Sequence, residues 1–201
     1  MKENEEIIPE HHTGRTIDTD RCIELDSTEE AKAFFETVKA RLLNVNAWGK
    51  IAGLASADFQ VVDKDGKEVS RPVREGDYFK IDVPGPGSLD GEGHDWVRVE
   101  EIKSVSTEQM ESLGIRVRPS ANPQNTSEHV SHFYSEESTS NFIVTREGKS
   151  ITAGVYDRNT KPNVEAEHPV DKARHWVVGL SAVVWFSKVQ WHQLVKGLLS
   201  R

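Results

Sequence analysis

The most promising cluster of polar side chains is the tetrapeptide Tyr156-Asp157-Arg158-Asn159, which stands where a predicted strand passes into a loop. Loops at the ends of strands often carry ligand-contacting groups. A guanidinium group can hold a carboxylate through two parallel hydrogen bonds, so Arg158 is a candidate for contact with a ligand carboxylate. An ordinary surface turn with a salt bridge is the commoner role of such a cluster, and it stays open as the alternative.

Two histidines have a spacing that argues against a metal site. His129 and His132 are three residues apart, with Glu128 and Glu136 nearby in the sequence. In a strand, this spacing sends the two rings to opposite faces of the sheet. No third ligand follows at a spacing typical of zinc sites. We therefore expect no metal to be bound.

A short glycine motif also fails to predict a cofactor. Gly148-Lys149-Ser150 matches the end of a phosphate-binding loop, but Ile143 stands where the motif needs its first glycine. The motif also needs a helix next, so that backbone N–H groups point at the phosphate. A strand is predicted there instead. The segment is a hairpin turn in this interpretation, and we expect no cofactor.

The composition excludes several classes of protein. The net charge of −8 repels phosphate backbones, and no basic patch offsets it, so nucleic-acid binding is not expected. Cys22 is the one cysteine, which favours a reducing compartment. The charged N-terminus lacks the apolar core of a signal peptide. The most apolar run, residues 176–186, is shorter than the roughly 20 residues that span a bilayer. We expect a cytoplasmic protein without a membrane span.

The periodicity predicts a flexible tail over residues 1–14 and a single α+β domain over residues 15–201. Ser27 and Glu30 form a capping box that starts a helix, and its apolar residues follow at helical spacing. From Asp58 onward the period changes to two. Short turns between consecutive strands indicate an antiparallel sheet. The predicted strands are 16–25, 59–62, 78–83, 95–102, 115–118, 129–133, 141–146 and 150–157.

The last thirty residues predict one long helix. Residues 170–199 contain no proline, and residues 176–186 are apolar on nearly every side. A surface helix needs only one apolar stripe, so this one must be covered on several sides by a sheet, a partner or a ligand. Its tryptophans have the spacing of core residues. Small residues beside them, such as Gly179 and Ala182, leave room for a guest molecule or for close approach of a strand.

The order of these elements resembles that of the helix-grip superfamily, which includes START domains, Bet v 1-like plant proteins and polyketide cyclase-like bacterial proteins. The resemblance covers residues 16–199 and rests on the element order, on the Trp48 region after the first helix, and on the closing helix. It implies a curved antiparallel sheet of about six or seven strands gripping the long C-terminal helix, with an apolar cavity between them. The superfamily contains both carriers and enzymes, so it does not decide the function.

We therefore expect a domain that binds a small apolar ligand between the sheet and the C-terminal helix. One alternative is a cyclase- or hydrolase-like enzyme that uses the same cavity. Another is a homodimeric interaction protein with a solid core. Besides Arg158, the candidate ligand-binding residues are Phe79, Val97 and Phe142 from the strands and Trp176, Gly179, Leu180 and Val183 from the helix.

Overall fold

The computed structural model describes residues 7–53, 57–83, 90–163 and 179–201, of which 179–187 by their backbone alone. In this part of the chain, seven antiparallel strands form one sheet in the order β1-β7-β6-β5-β4-β3-β2. The strands are β1 (Arg15–Glu24), β2 (Asp58–Val62), β3 (Tyr78–Asp82), β4 (Asp95–Ser106), β5 (Met110–Pro119), β6 (Thr139–Glu147) and β7 (Ser150–Thr160). A β-bulge between Val99 and Glu101 shifts the register of β4 against β5, and such bulges bend a sheet.

Three described α-helices lie against the concave face of this sheet: α1 (Thr28–Leu43), α2 (Trp48–Ala52) and α3 (Gly179–Leu198). A short 3-10 helix, Val45–Ala47, joins α1 to α2. The predicted cap by Ser27 is confirmed, and Glu30 reaches back as predicted, but to the N–H of Asp26 and not to that of Ser27. The Glu30 N–H donates to Ser27 Oγ at 3.1 Å, and the Asp26 N–H donates to Glu30 Oε2 at 3.1 Å. No helix in the described part of the chain combines the length and apolar content needed to cross a membrane.

Trp48 lies at the centre of the core and is fully buried. Its indole N–H donates to the carbonyl of Leu42 at 3.2 Å, which fixes α2 to the end of α1. Its ring lies 5.5, 5.6 and 4.7 Å, between centroids, from three rings of the concave face: Phe59, Phe79 and Phe142. These aromatic contacts join the helices to three different strands.

The C-terminal half of α3 packs against α2, β1 and β7. Leu194, Val195 and Leu198 are buried there. A Cβ at Gly197 would lie 2.3 Å from the carbonyl oxygen of Ile51, so this glycine allows α3 to touch α2. The antiparallel sheet with a closing helix confirms the predicted helix-grip architecture. The predicted start of the helix, near Val170, lies outside the described residues.

The predicted strand over 129–133 is wrong. Residues 120–138 form a loop. An isolated β-bridge between Tyr134 and Pro162 connects this loop to the segment that follows β7. Polar side chains of the loop bind its own backbone: Asn122 Oδ1 accepts from the Gln124 N–H, and Asn125 Oδ1 accepts from the Ser127 N–H. Such local hydrogen bonds compete with a strand ladder.

The segment that precedes β1 lies along the convex face of the sheet. Ile7 is 2% exposed, and its carbonyl accepts from Arg116 Nη1 at 3.1 Å. Asn159 Oδ1 accepts from the N–H groups of His12 and Thr13 at 2.9 and 3.2 Å. These contacts attach residues 7–13 to the sheet. Residues 1–6 lie outside the described part, and the division into a tail and one domain stays a prediction.

The buried half of α3 sets a stability test. Leu194→Ala should lower the free energy of unfolding by about 2–5 kcal/mol, because it leaves a cavity under the helix. Val189→Ala changes a residue of the same helix that is 41% exposed, and it should change stability by no more than about 0.5 kcal/mol. Denaturant unfolding of the three proteins measures both effects. Equal, small losses would contradict the role of α3 as a core element.

Candidate functional site

A small cavity lies between the concave face of the sheet and α3. Its volume is about 40 Å³, which gives room for about three water molecules. Pockets for small ligands typically measure about 300–1,000 Å³. Most of the lining is apolar or aromatic, from strands, the 120–138 loop and the helix: Phe59, Phe79, Ile81, Val83, Val97, Val117, His132, Phe133, Tyr134, Ser140, Phe142, Gln190 and Trp191.

The structure brings together the three strand residues that the sequence nominated. Phe79, Val97 and Phe142 come from β3, β4 and β6, and all three line this cavity. Among the helix candidates, Trp176 lies outside the described residues. Gly179, Leu180 and Val183 belong to the first turns of α3, where the backbone alone is described. Their part in ligand binding stays a prediction.

Arg158 does not join this group. It lines an open groove of about 590 Å³ on the convex face, together with Cys22 and Tyr156. Its Nη1 atom forms an ion pair with Asp18 Oδ1 and donates to the carbonyl of Asp157 at 2.9 Å. The surface salt bridge, which was the alternative for this cluster, is therefore what the structure contains. Side chains alternate between the faces of a strand, so the preceding residue, Asp157, points to the concave side.

Asp157 is the polar residue that connects this cavity to the closing helix. Its side chain is 1% exposed, and in the sheet it stands between Ile17 of β1 and Ser140 of β6. The indole N–H of Trp191 donates to Asp157 Oδ2 at 3.1 Å. Asp157 Oδ1 has no hydrogen-bond partner among the described residues. Ser140 and Trp191, which stand next to Asp157, both line the cavity, whereas Asp157 itself does not, so its carboxyl lies just behind the cavity wall.

The surroundings of Asp157 disfavour its charge. Burial raises the pKa of the carboxyl from 3.8 to about 6. The Ser140 hydroxyl, the Trp191 indole and the positive charge of Arg158 lower this pKa, in that order, and the charge of Asp18 raises it. The balance leaves a carboxylate that is largely ionised at neutral pH but poorly stabilised. Groups with such a perturbed pKa beside a cavity are candidates for a functional role.

His132, on the loop wall of the cavity, does not supply a compensating charge. Its Nδ1 atom accepts from the backbone N–H of Tyr134 at 2.9 Å, so that nitrogen carries no proton and the ring is neutral. The imidazole stacks on Phe133 with 4.3 Å between ring centroids. Within the described residues, no three histidine, cysteine or acidic side chains cluster closely enough to hold a metal ion.

The sequence pointed to Asp157 only as a member of the 156–159 cluster and to Trp191 only as a core residue of the helix, and it did not point to Ser140 or Gln190. The signal for Asp157 was present in the alternation of β7, since Ile151, Ala153 and Val155 are buried on the concave face and Asp157 is next in that series. The nominated residue, Arg158, was one position away, and in a strand one position reverses the face.

No family model and no curated protein sequence matches the chain. Solved structures with a similar fold include a hypothetical protein, jhp0584, from Helicobacter pylori, at 14% identity and a TM-score of 0.48, over 92% of this chain and 88% of that one. Norcoclaurine synthase from Thalictrum flavum matches at 10% identity and a TM-score of 0.36, over 96% and 99%. Major latex-like protein 151 from Panax ginseng matches at 12% identity and a TM-score of 0.34, over 89% and 99%. Identities and scores this low leave the function open.

The buried carboxyl generates a pH-dependent stability prediction. Because the folded-state pKa lies above the unfolded value, the contribution of this carboxyl to stability is most favourable below about pH 4, falls between about pH 4 and pH 6, and levels off at higher pH. A rise from 3.8 to about 6 corresponds to about 3 kcal/mol lost at pH 7.5. Asp157→Asn should therefore raise the free energy of unfolding by up to about 3 kcal/mol at pH 7.5, and by little at pH 4.

Asp18→Asn is the matched control, because it removes the same charge from the half-exposed ion pair on the convex face. It should change stability by about 0–1 kcal/mol. Denaturant unfolding at the two pH values measures each effect. An equal loss of stability for Asp157→Asn at both pH values would show that the ionised carboxyl does not destabilise the folded protein.

Proposed function

We propose that this chain binds a small, mostly apolar molecule between the concave face of the sheet and α3. The observation that supports it most directly is Asp157, a nearly completely buried carboxyl with one unpaired oxygen among the described residues, beside a cavity with aromatic walls. A polar group without a full set of partners is costly to bury. Its retention at the edge of an apolar cavity is typical of a site where a ligand supplies the missing contact.

The present volume requires the site to enlarge when such a ligand binds. Continuous hydrogen-bonded ladders fix the sheet wall, and backbone hydrogen bonds such as that from the Asn163 N–H to the Phe133 carbonyl fix the loop backbone, so a change of shape falls to the side chains of the loop wall. Phe133 is only half-buried. In this proposal, the ring of Phe133 turns outward, and the ligand takes its place against Phe142 and Trp191.

A second candidate function is catalysis in the same cavity, of the cyclase or hydrolase kind. A carboxyl with a pKa of about 6 can both donate and accept a proton near neutral pH, which is what a general acid or base requires. Chemical conversion of a bound ligand, abolished by Asp157→Asn, would distinguish the enzyme from a binding protein.

The homodimer alternative calls for a large exposed apolar patch. Val189 is the one large hydrophobic residue that is exposed among the side chains the structure describes, so the described surface offers this alternative no support. A cytoplasmic location and a lack of nucleic-acid binding stay predictions from composition.

Filling the cavity tests the proposal. Val117 lines the cavity from β5, and Val117→Leu adds a methylene group to a space of about 40 Å³. We expect this variant to weaken the binding of toluene at least about tenfold, because the added group occupies space that the ligand needs. Val189→Leu makes the same change at an exposed position of α3 and should leave binding unaltered.

Ligand-observed NMR with toluene, supported by quenching of tryptophan fluorescence, measures this binding. Circular dichroism and thermal melting establish that both variants are folded. Failure of toluene to bind the unaltered protein, or equal binding to both variants, would count against a ligand site between the sheet and α3.

A further inference from the structure

We propose that the ligand carries a cationic nitrogen, which pairs with Asp157 while its apolar part lies against the aromatic wall. This inference rests on the proposed ligand binding and specifies its chemistry. It is carried by the position of Asp157 at the junction of β7 and α3 and by the groups that surround it.

The neighbours of Asp157 on the concave side that the structure describes are neutral. Ile17 flanks it from β1, Ser140 from β6, and Trp191 covers it from α3. A buried carboxylate needs a cationic partner or several hydrogen bonds to offset the loss of hydration. The Trp191 indole and the Ser140 hydroxyl supply only part of this, since neither carries a charge, and Oδ1 is left without a hydrogen bond from any described residue.

Among the side chains that the structure describes, the charged groups around this point are directed elsewhere. Arg158 is on the convex face, in an ion pair with Asp18. Lys188 and His192 of α3 are exposed to solvent. His132 is near the cavity, but its Nδ1 atom accepts a backbone hydrogen bond, so the ring is neutral. Among the described residues, a counter-ion on the concave side is therefore missing, and a ligand cation would provide it.

The aromatic wall favours a cation as well. Phe142 and Trp191 stand edge to face, with 5.2 Å between centroids and an interplanar angle of 86°. The faces of aromatic rings attract cations through their quadrupole, and tryptophan does so best. A neutral alcohol could also reach Oδ1, but a charge-assisted hydrogen bond is about twice as strong as a neutral one. The net charge of −8 further attracts cations to the molecule.

The pairing makes binding depend on pH in a defined direction. Because burial raises the pKa of Asp157 to about 6, the carboxyl is protonated below that pH and cannot pair with an ammonium group. Affinity for a cationic ligand should thus fall about tenfold for each pH unit below about 6. Affinity for a neutral ligand of the same shape should not follow this trend.

Three probes of nearly equal shape test the inference: benzylamine, benzyl alcohol and toluene. We expect benzylamine to bind the intact protein at pH 7.5 at least tenfold more tightly than benzyl alcohol. Asp157→Asn should bring benzylamine to the level of the alcohol, while toluene binding is retained. Asp18→Asn, which removes a carboxylate on the opposite face, should keep the preference for the amine.

The outcomes separate this inference from the proposed function. If toluene and benzyl alcohol bind but benzylamine binds no more tightly than the alcohol, the cavity is a ligand site and the inferred preference for a cation is wrong. If none of the three probes binds, both proposals are overturned. A preference for the amine that persists in Asp157→Asn, or that shows no loss below pH 6 in the unaltered protein, would also overturn the pairing with Asp157.

Discussion

A single sheet of seven strands has a concave apolar face, and the rest of the described fold is arranged to cover it. Trp48 covers the centre of this face, where its ring contacts Phe59, Phe79 and Phe142. The helix α3 covers the side formed by β1 and β7. Where these two covers meet, Trp191 contacts both the ring of Phe142 and the carboxyl of Asp157. The small cavity lies at this boundary, since Phe142 and Trp191 both line it.

Asp157 is poorly suited to stability at this boundary. Its neighbours in the sheet series, Ala153 and Val155, are apolar and fully buried, and a continued apolar series would pack without a desolvation cost. Natural proteins sit only slightly above the stability that function requires, and the usual exceptions to good packing are functional sites. A carboxyl that destabilises the fold at neutral pH is therefore more informative about function than the apolar residues around it.

Much of the fold could be predicted from local signals. The capping box at Ser27 and Glu30 located α1, and alternation located the central strands, because both signals lie within a few residues of one another. The ends of β4 and β5 extend beyond the prediction, to Ser106 and from Met110, since residues 103–106 and 110–114 contain few apolar side chains and show no sustained alternation. The loop over 120–138 was taken in part for a strand because its apolar residues, such as Phe133 and Tyr134, serve the cavity wall rather than a ladder.

The site itself could not be predicted without knowing how the strands pair with one another and where α3 crosses them. Phe79, Val97 and Phe142 could be nominated as core-facing residues, but the meeting of Asp157 with Trp191 joins positions 34 residues apart and depends on how α3 crosses β7.

The most direct test is a pH titration of the Asp157 side-chain carboxyl by carbon-13 NMR, assigned by comparison with Asp157→Asn. The account predicts a midpoint near 6 for the free protein. A midpoint near 4, the ordinary value for an exposed aspartate, would contradict the buried, uncompensated carboxyl on which the ligand site depends.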